Sequence, residues 1–130
     1  MGTTDQKIST FLMFEGNAQD AMNFYTSVFD QSEILNVLHH ENGTVMHATF
    51  KIKGQTFMCI DSTINHEFTF TPSISLFVTC DTEEEIDRLF EQLSQDGQVL
   101  MSLSATPVSE KFGWVGDRFG VSWQLNYAKK

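Results

Sequence analysis

The chain has 130 residues, of which 41% are hydrophobic and 12 are phenylalanine. That length and apolar content fit one globular domain with a substantial core and exclude a disordered chain. Eight Lys and Arg residues stand against 17 Asp and Glu residues, for a net charge of −9. This charge argues against nucleic acid or an anionic membrane surface as the partner, because both require basic patches.

The chain shows no sign of export or membrane insertion. No apolar run reaches spanning length, and the first ten residues lack the apolar core of a signal peptide. The two cysteines, Cys59 and Cys80, are too few for a disulfide scaffold and are interpreted as buried free thiols. We therefore expect a cytoplasmic protein.

The first half predicts a strand, a helix and three further strands. An apolar strand over residues 8–14 changes to helical spacing from Ala21 to Phe29, with Asn17 as the N-cap. Strands are then predicted at Glu33–His39, Val45–Ile52 and Thr56–Asp61. An Asn-Gly turn and a Lys53–Gly54 turn separate these three strands.

The second half repeats the same order. A strand over 73–79 precedes a helix that starts with a Thr82/Glu85 capping box and ends at Gly97. Strands are then predicted at 99–103, 112–115 and 121–127. Such duplication is the most informative feature of the chain. It predicts a single α+β domain with a module at about 7–61, a joint at 62–71 and a second module at about 72–127.

Strict alternation along these strands predicts two faces for the sheet. The helices would cover a core face that includes Phe11, Met13, Cys59, Ile74 and Trp123. The other face mixes aromatic, methyl and neutral polar groups, which suits a small-molecule pocket. The predicted ligand-pocket residues are Thr10, Phe14, His47, Met58, Ser73, Ser75, Phe77 and Gln124.

Four stretches carry a resemblance to a known family. They are "FEGNAQDAMNFYTSVF", "VMHATFKIKGQTFMCIDS", "ISLFVTCDTEEEIDRLFEQLSQDG" and "FGWVGDRFGVSWQLN", and they are spread over residues 8–127, almost the whole chain. They resemble the vicinal oxygen chelate (glyoxalase/bleomycin-resistance/dioxygenase) superfamily, and most closely its PhnB-like branch. The resemblance implies two tandem βαβββ modules that form a curled mixed sheet around a cavity, and a homodimer.

Many PhnB-like members are labelled 3-demethylubiquinone-9 3-methyltransferase. The chain has no Gly-rich nucleotide loop after a strand and no Rossmann-like alternation. We therefore do not expect methyl transfer.

The resemblance also implies where a metal would bind, because metal-dependent members take ligands from the first and fourth strands of each module. These positions fall at Thr10, Met58, Ser73 or Ser75, and Gln124. Divalent metals prefer imidazole and carboxylate ligands, which this set does not contain. We therefore expect no cofactor and no metal at these positions, with a divalent metal held by another set as the alternative.

His47 and Asp61 are the candidate catalytic residues. The alternation of "VMHATF" places His47 on the pocket face, where it would act as an acid or base, as a single metal ligand or as a hydrogen-bond donor. A half-buried, hydrogen-bonded histidine with no chemical role is the simpler alternative. Asp61 ends the fourth strand and would either orient His47 or cap a turn.

The leading hypothesis is a protein that binds a small, largely apolar or aromatic molecule without the metal site usual in the superfamily. One alternative is a metal-dependent isomerase, lyase or dioxygenase that uses His47. Another is a drug-sequestering resistance protein, for which the acidic chain would favour cationic drugs.

Overall fold

The computed structural model describes residues 6–129, and the chain forms two compact units that meet in sequence between His66 and Glu67. Each unit is a βαβββ module, so the predicted α+β class and internal duplication are confirmed. The predicted assembly of the modules into one domain stays a prediction. The elements of the first unit are β1 (Thr10–Phe14), α1 (Ala18–Val28), β2 (Glu33–His39), β3 (Val45–Ile52) and β4 (Gln55–Asp61). Those of the second are β5 (Leu76–Thr79), α2 (Glu83–Ser94), β6 (Gln98–Ser104), β7 (Ser109–Gly116) and β8 (Ser122–Ala128).

The two units have the same sheet topology. The strand order is β1-β4-β3-β2 in the first sheet and β5-β8-β7-β6 in the second. The first and fourth strands of each unit pair in parallel, whereas the other neighbours are antiparallel. Each sheet is therefore mixed, and its single parallel pair joins the two strands that are furthest apart in the sequence of that unit.

Helix α1 packs on β2, β3 and β4 and buries one side of the first sheet. Its buried stripe contains Ala21, Tyr25 and Val28, as the sequence predicts, together with Ala18 and Met22. The strands beneath it contribute a fully buried layer that includes Cys59. Burial, with a smaller contribution from the nearby Asp61 charge, raises the pKa of the Cys59 thiol to about 12. The thiol therefore stays protonated at neutral pH.

Helix α2 packs on β7, β8 and β6 through Ile86, Leu89 and Leu93. Its N-cap is Thr82, whose hydroxyl accepts from the Glu85 N–H at 3.1 Å. The Glu85 carboxylate accepts from the Asp81 N–H at 2.8 Å, one residue before the N-cap. The predicted cap is confirmed at Thr82. Neither helix within residues 6–129 is long and apolar enough to cross a membrane.

We call the side of each sheet opposite its helix the helix-distal face. In β1 the predicted assignment of faces is wrong. Phe11 is 49% exposed and pairs with Met58, whereas Leu12 and Phe14 are buried on the helix side. The run "TFLMF" has four large apolar residues in succession, so its hydrophobicity does not indicate which of them face the helix. Ile74, also predicted in the core, is 80% exposed and precedes β5.

Gly97 does not end α2 in the predicted way. The helix ends at Ser94, and Asp96 takes the left-handed conformation, with φ of 60°. Gly97 is instead needed for a close approach. A Cβ atom on this residue would lie 2.2 Å from the carbonyl oxygen of Gly116, a distance that no side chain tolerates.

We expect the Gly97→Ala variant to lose about 2 kcal/mol or more of unfolding free energy, because backbone must shift to admit the methyl group. The matched control is Asp96→Gly, which removes a left-handed non-glycine residue and should leave stability unchanged or raise it by up to about 1 kcal/mol. Urea unfolding followed by circular dichroism measures both. A Gly97→Ala variant as stable as the parent chain would show that the approach to Gly116 is not tight.

Candidate functional site

The duplication places Met58 and Gln124 at the same point of their units. Each lies four residues after a glycine with positive φ, Gly54 at 81° and Gly120 at 93°. Each also pairs in parallel with an aromatic residue of the first strand: Met58 with Phe11, and Gln124 with Phe77. Paired residues project to the same side of a sheet, so these two pairs occupy corresponding places on the helix-distal faces.

Two predicted pocket residues of the first strand lie on the wrong side. Thr10 pairs with Phe57, and Phe14 pairs with Asp61. Both partners belong to the row of β4 that contains the fully buried Cys59, on the helix side. Thr10 and Phe14 therefore do not share a face with Met58. Ser75 lies two residues before Phe77, the aromatic partner of Gln124. The corresponding residue of the first unit lies two positions before Phe11 and is Ser9, not the predicted Thr10.

The structure shows which of the two predicted serines, Ser73 or Ser75, lies beside Gln124. Ser73 lies in an exposed turn before β5, where its hydroxyl bonds to Thr71 Oγ1 at 2.7 Å. Ser75 directly precedes β5 and lies 2.7 Å from the Ser122 hydroxyl and 3.4 Å from Gln124 Nε2. Of the two predicted alternatives, Ser75 therefore lies beside Gln124 and Ser73 does not.

A continuous row of side chains crosses the second sheet on its helix-distal face. Phe77 pairs with Gln124, Gln124 pairs with Trp114, and Trp114 pairs with Met101. Phe77 is 59% exposed, while Gln124 and Trp114 are half-buried. An amide therefore lies between two aromatic rings, one of which is largely open to solvent.

Four of the polar side chains around this row form a hydrogen-bonded cluster. Trp114 Nε1 donates to Ser122 Oγ at 2.7 Å, and Ser122 Oγ lies 2.7 Å from Ser75 Oγ. Gln124 Nε2 donates to Ser75 Oγ at 3.4 Å. We call Ser75, Phe77, Trp114, Ser122 and Gln124 the Gln124 site. All five residues belong to the second unit.

Strand alternation predicts Ser122 on the same face as Gln124, and the sequence also offers Trp114 as a ring for stacking on a flat ligand, but neither is among the predicted ligand-pocket residues. A signal for them was present in the hairpin "WVGDRFGVSWQ". The three-residue loop 118–120 ends in Gly120 with positive φ, and the Asp117 N–H donates to the Val121 carbonyl. Counting outward from Asp117 and Val121 pairs Gly116 with Ser122 and Trp114 with Gln124, as the structure shows. The register of this hairpin, rather than the identity of either residue, includes both of them in the site.

A cleft of about 210 Å³ borders Ser122. Its lining comes from the loop before β5, the start of β6 and the β7–β8 turn, and includes Phe70, Gln98, Leu100 and Asp117. Pockets for drug-sized ligands hold roughly 300–1,000 Å³. The cleft is therefore suited to one small group of a ligand rather than to a whole one.

The helix-distal face of the first unit has a different chemistry. Met58 and His47 are half-buried there, and Thr49 pairs with Met58. The Gln6 amide is hydrogen-bonded at the edge of this face. Its Nε2 donates to the Thr56 carbonyl and to Ser9 Oγ, and its Oε1 accepts from the Thr56 N–H. The His47 imidazole makes no hydrogen bond with any residue in 6–129.

Asp61 has a structural position. Its Oδ1 accepts from the N–H groups of Gly16 and Ala18 at 2.9 Å each, and its Oδ2 accepts from the Val45 N–H at 2.9 Å. The side chain is 4% exposed and lies on the helix side, whereas His47 lies on the opposite face. Asp61 therefore does not orient His47. It takes over the capping role predicted for Asn17, whose side chain makes no cap bond.

We expect Asp61→Asn to lower the free energy of unfolding by about 2 kcal/mol, because an amide cannot accept from all three N–H groups and lacks the charge that favours a helix N-terminus. The control is Asn17→Ala at the N-cap itself, which should cost less than about 0.5 kcal/mol. Denaturant unfolding of the two variants tests this. A larger loss in the Asn17 variant than in the Asp61 variant would contradict the assignment of the cap.

The residues at the superfamily's metal positions do not fit a divalent metal. The helix-distal face of the first unit presents a thioether at Met58, and that of the second presents an amide at Gln124 and a hydroxyl at Ser75. None of these groups is the imidazole or carboxylate that such metals prefer. No group of three or more His, Cys, Asp or Glu side chains within residues 6–129 is arranged to hold a metal ion.

The paired βαβββ units and their parallel first and fourth strands define a fold of the vicinal oxygen chelate superfamily. A solved glyoxylase/bleomycin resistance protein/dioxygenase domain from Frankia sp. EAN1pec shares this fold, with a TM-score of 0.72 and 12% identity over 98% of this chain and 95% of that one. The chain belongs to the family described as 3-demethylubiquinone-9 3-methyltransferase, whose model matches residues 6–126.

Two relatives are more similar in sequence. A solved structure from Bacillus cereus, described as a putative 3-demethylubiquinone-9 3-methyltransferase, PhnB protein, is 61% identical, with a TM-score of 0.92. The similarity covers 95% of this chain and 100% of that one. Protein YjdN of Escherichia coli (strain K12) is 24% identical over 95% of this chain and 96% of its own length. These similarities confirm the predicted PhnB-like family.

Proposed function

We propose that the chain binds a small, largely apolar or aromatic molecule on the helix-distal face of the second unit, at the Gln124 site, without a metal ion. The observation that carries this proposal is the row in which a half-buried amide lies between Phe77 and Trp114. Ligand sites combine apolar and aromatic walls with a small number of placed polar groups. The Gln124 site has both.

The aromatic part of the site supplies affinity. Phe77 is 59% exposed, so contact with a flat ligand removes apolar surface from water and adds ring stacking. The polar part supplies orientation. The hydrogen bonds among Ser75, Ser122 and Trp114 fix the floor of the site before a ligand arrives, which lowers the cost of ordering it.

The Phe77→Ala variant should bind uncharged aromatic compounds roughly tenfold more weakly than the parent chain, because it loses the exposed ring. The measurement is a titration of the uniformly ¹⁵N-labelled chain with a panel of such compounds, followed by the indole N–H signals of its two tryptophans. Trp114 donates within the site, whereas Trp123 is buried and donates to Asp117 Oδ2 at 2.8 Å. The Trp114 signal should shift and saturate while the Trp123 signal stays in place.

The control variant is Val108→Ala, which removes an exposed apolar side chain between β6 and β7 and should not change binding. If no compound in the panel shifts the Trp114 signal, or if the Phe77 and Val108 variants bind equally well, the proposal is wrong.

A second candidate function is a metal-dependent isomerase, lyase or dioxygenase that uses His47. It is favoured by one observation: a half-buried imidazole on the helix-distal face of the first unit has no hydrogen-bond partner within the described residues. An imidazole with two available nitrogens is a good metal ligand. The family match alone does not favour this candidate over binding.

Metal analysis distinguishes the two candidates. We expect less than about 0.1 metal ion per chain after untagged protein is incubated separately with Zn, Ni, Mn and Fe(II) and then dialysed, because Met58, Ser75 and Gln124 do not form a ligand set. His47→Ala should then leave the melting temperature in each metal unchanged. A ratio near one for a single metal, abolished by His47→Ala, would make the enzyme the better proposal.

Binding without a chemical change in the bound molecule is also the property that a drug-sequestering protein needs. Overexpression that raises tolerance to a drug recovered unchanged from the cells would identify that role. The homodimer implied by the superfamily stays a prediction, which light scattering tests against a chain mass of 14.8 kDa.

A further inference from the structure

Each hydrogen bond in the Gln124 site can be given a donor and an acceptor, starting from the Trp114 indole. The Trp114 indole carries an N–H and no acceptor, so it donates to Ser122 Oγ. Ser122 is 3% exposed, and a buried hydroxyl proton needs an acceptor. The acceptor in reach is Ser75 Oγ at 2.7 Å. The chain of donation therefore runs from Trp114 through Ser122 to Ser75.

Ser75 Oγ then accepts twice, once from Ser122 and once from Gln124 Nε2. Both of its lone pairs are engaged, and its own proton remains for a group outside the cluster. Gln124 Oε1 accepts no hydrogen bond from the residues that the structure describes. The site thus presents one donor, the Ser75 hydroxyl, beside one acceptor, the Gln124 carbonyl.

We infer that the Gln124 site recognises the neutral amide edge of an aromatic carboxamide or of a flat lactam or imide; this inference rests on the proposed binding function. The N–H of such a ligand donates to Gln124 Oε1, and its adjacent C=O accepts from the Ser75 hydroxyl. Its ring lies against Phe77, which pairs with Gln124 across the parallel strands.

The same pattern rejects ligands of similar shape. A carboxylate offers two acceptors, so one of its oxygens meets Gln124 Oε1, and the chain's charge of −9 adds repulsion. A ketone offers an acceptor for Ser75 and leaves Gln124 Oε1 without a donor. Leaving such a polar group unpaired costs about 1–3 kcal/mol, or roughly five- to 150-fold in affinity.

Four compounds with the same phenyl ring separate the contributions of the ring, the C=O and the N–H, because they differ only in the attached group. They are benzamide, acetophenone, benzoate and toluene. We expect benzamide to shift the Trp114 indole signal of the intact chain with a dissociation constant at least tenfold below that of acetophenone, with benzoate and toluene weaker still. The Trp114→Phe variant lacks one of the two indole N–H signals, and the missing signal is thereby assigned to Trp114.

Two variants test the two hydrogen bonds. Gln124→Met removes the acceptor and should reduce the preference for benzamide over acetophenone to less than about threefold. Ser75→Ala removes the donor that both carbonyl groups use, so it should weaken the binding of both compounds by about threefold or more and leave their ratio unchanged. Both variants keep Phe77, so toluene should bind them as it binds the parent chain. An unchanged Trp123 signal shows that the second unit is folded. If one variant does not fold, the other still tests its own hydrogen bond against toluene as the reference.

The outcomes separate the inference from the function on which it rests. If the aromatic compounds bind but benzamide has no advantage, if Gln124→Met keeps that advantage, or if Ser75→Ala binds both carbonyl compounds as the parent chain does, the amide assignment is wrong and the binding function stands. If none of the four compounds binds, the proposed function fails as well.

Discussion

The parallel pairing of the first and fourth strands determines the chemistry of each sheet. In the second unit it brings Phe77 beside Gln124, and in the first unit it brings Phe11 beside Met58. Side chains alternate along a strand, so a shift of one residue would exchange every helix-facing side chain of β1 or β5 for a helix-distal one. The contents of both faces follow from this register, and so does the composition of the Gln124 site.

The buried carboxylates stabilise the scaffold. Asp61 accepts from three backbone N–H groups. Asp117 accepts from the N–H groups of Phe119 and Val121 and from the Trp123 indole. Each is 4% exposed and connects the end of a strand to a neighbouring segment. The interior of each unit therefore uses its acids to satisfy backbone donors.

The helix-distal faces of the two units differ although their folds agree. The first has a thioether and an imidazole, at Met58 and His47, whereas the second has hydroxyls, an amide and an indole. The helix side of both sheets must be apolar to pack against α1 or α2, which leaves little freedom there. Side chains on the helix-distal side do not pack against the helix and therefore need not be apolar for that reason. Two copies of one scaffold can thus present different chemistry.

The repeated module was predictable from the sequence because its signals are local. Helical spacing in "AMNFYTSVF", the Thr82 cap and the turns at Gly54 and Gly120 each depend on neighbouring residues. The assignment of Thr10 and Phe14 to the open face failed because β1 is apolar on both sides and its register depends on β4, over forty residues away in sequence. The partners of Asp61 were equally hidden, since Gly16, Ala18 and Val45 lie 16 to 45 residues away from it in sequence. Ser73 and Ser75 were left as alternatives, because the start of β5 has no local signal.

Each unit contains one buried cysteine, Cys59 in the first and Cys80 in the second. The Cys59 thiol, with its pKa raised to about 12, is protonated and shielded from reagents in the folded state. Modification of that cysteine therefore requires its surroundings to open, and the rate of modification reports how often they do. Each unit thus contains one thiol whose modification rate measures how often that unit opens. Equal rates would describe a molecule that opens as one cooperative body, and unequal rates would describe two bodies that share a chain but keep separate stabilities.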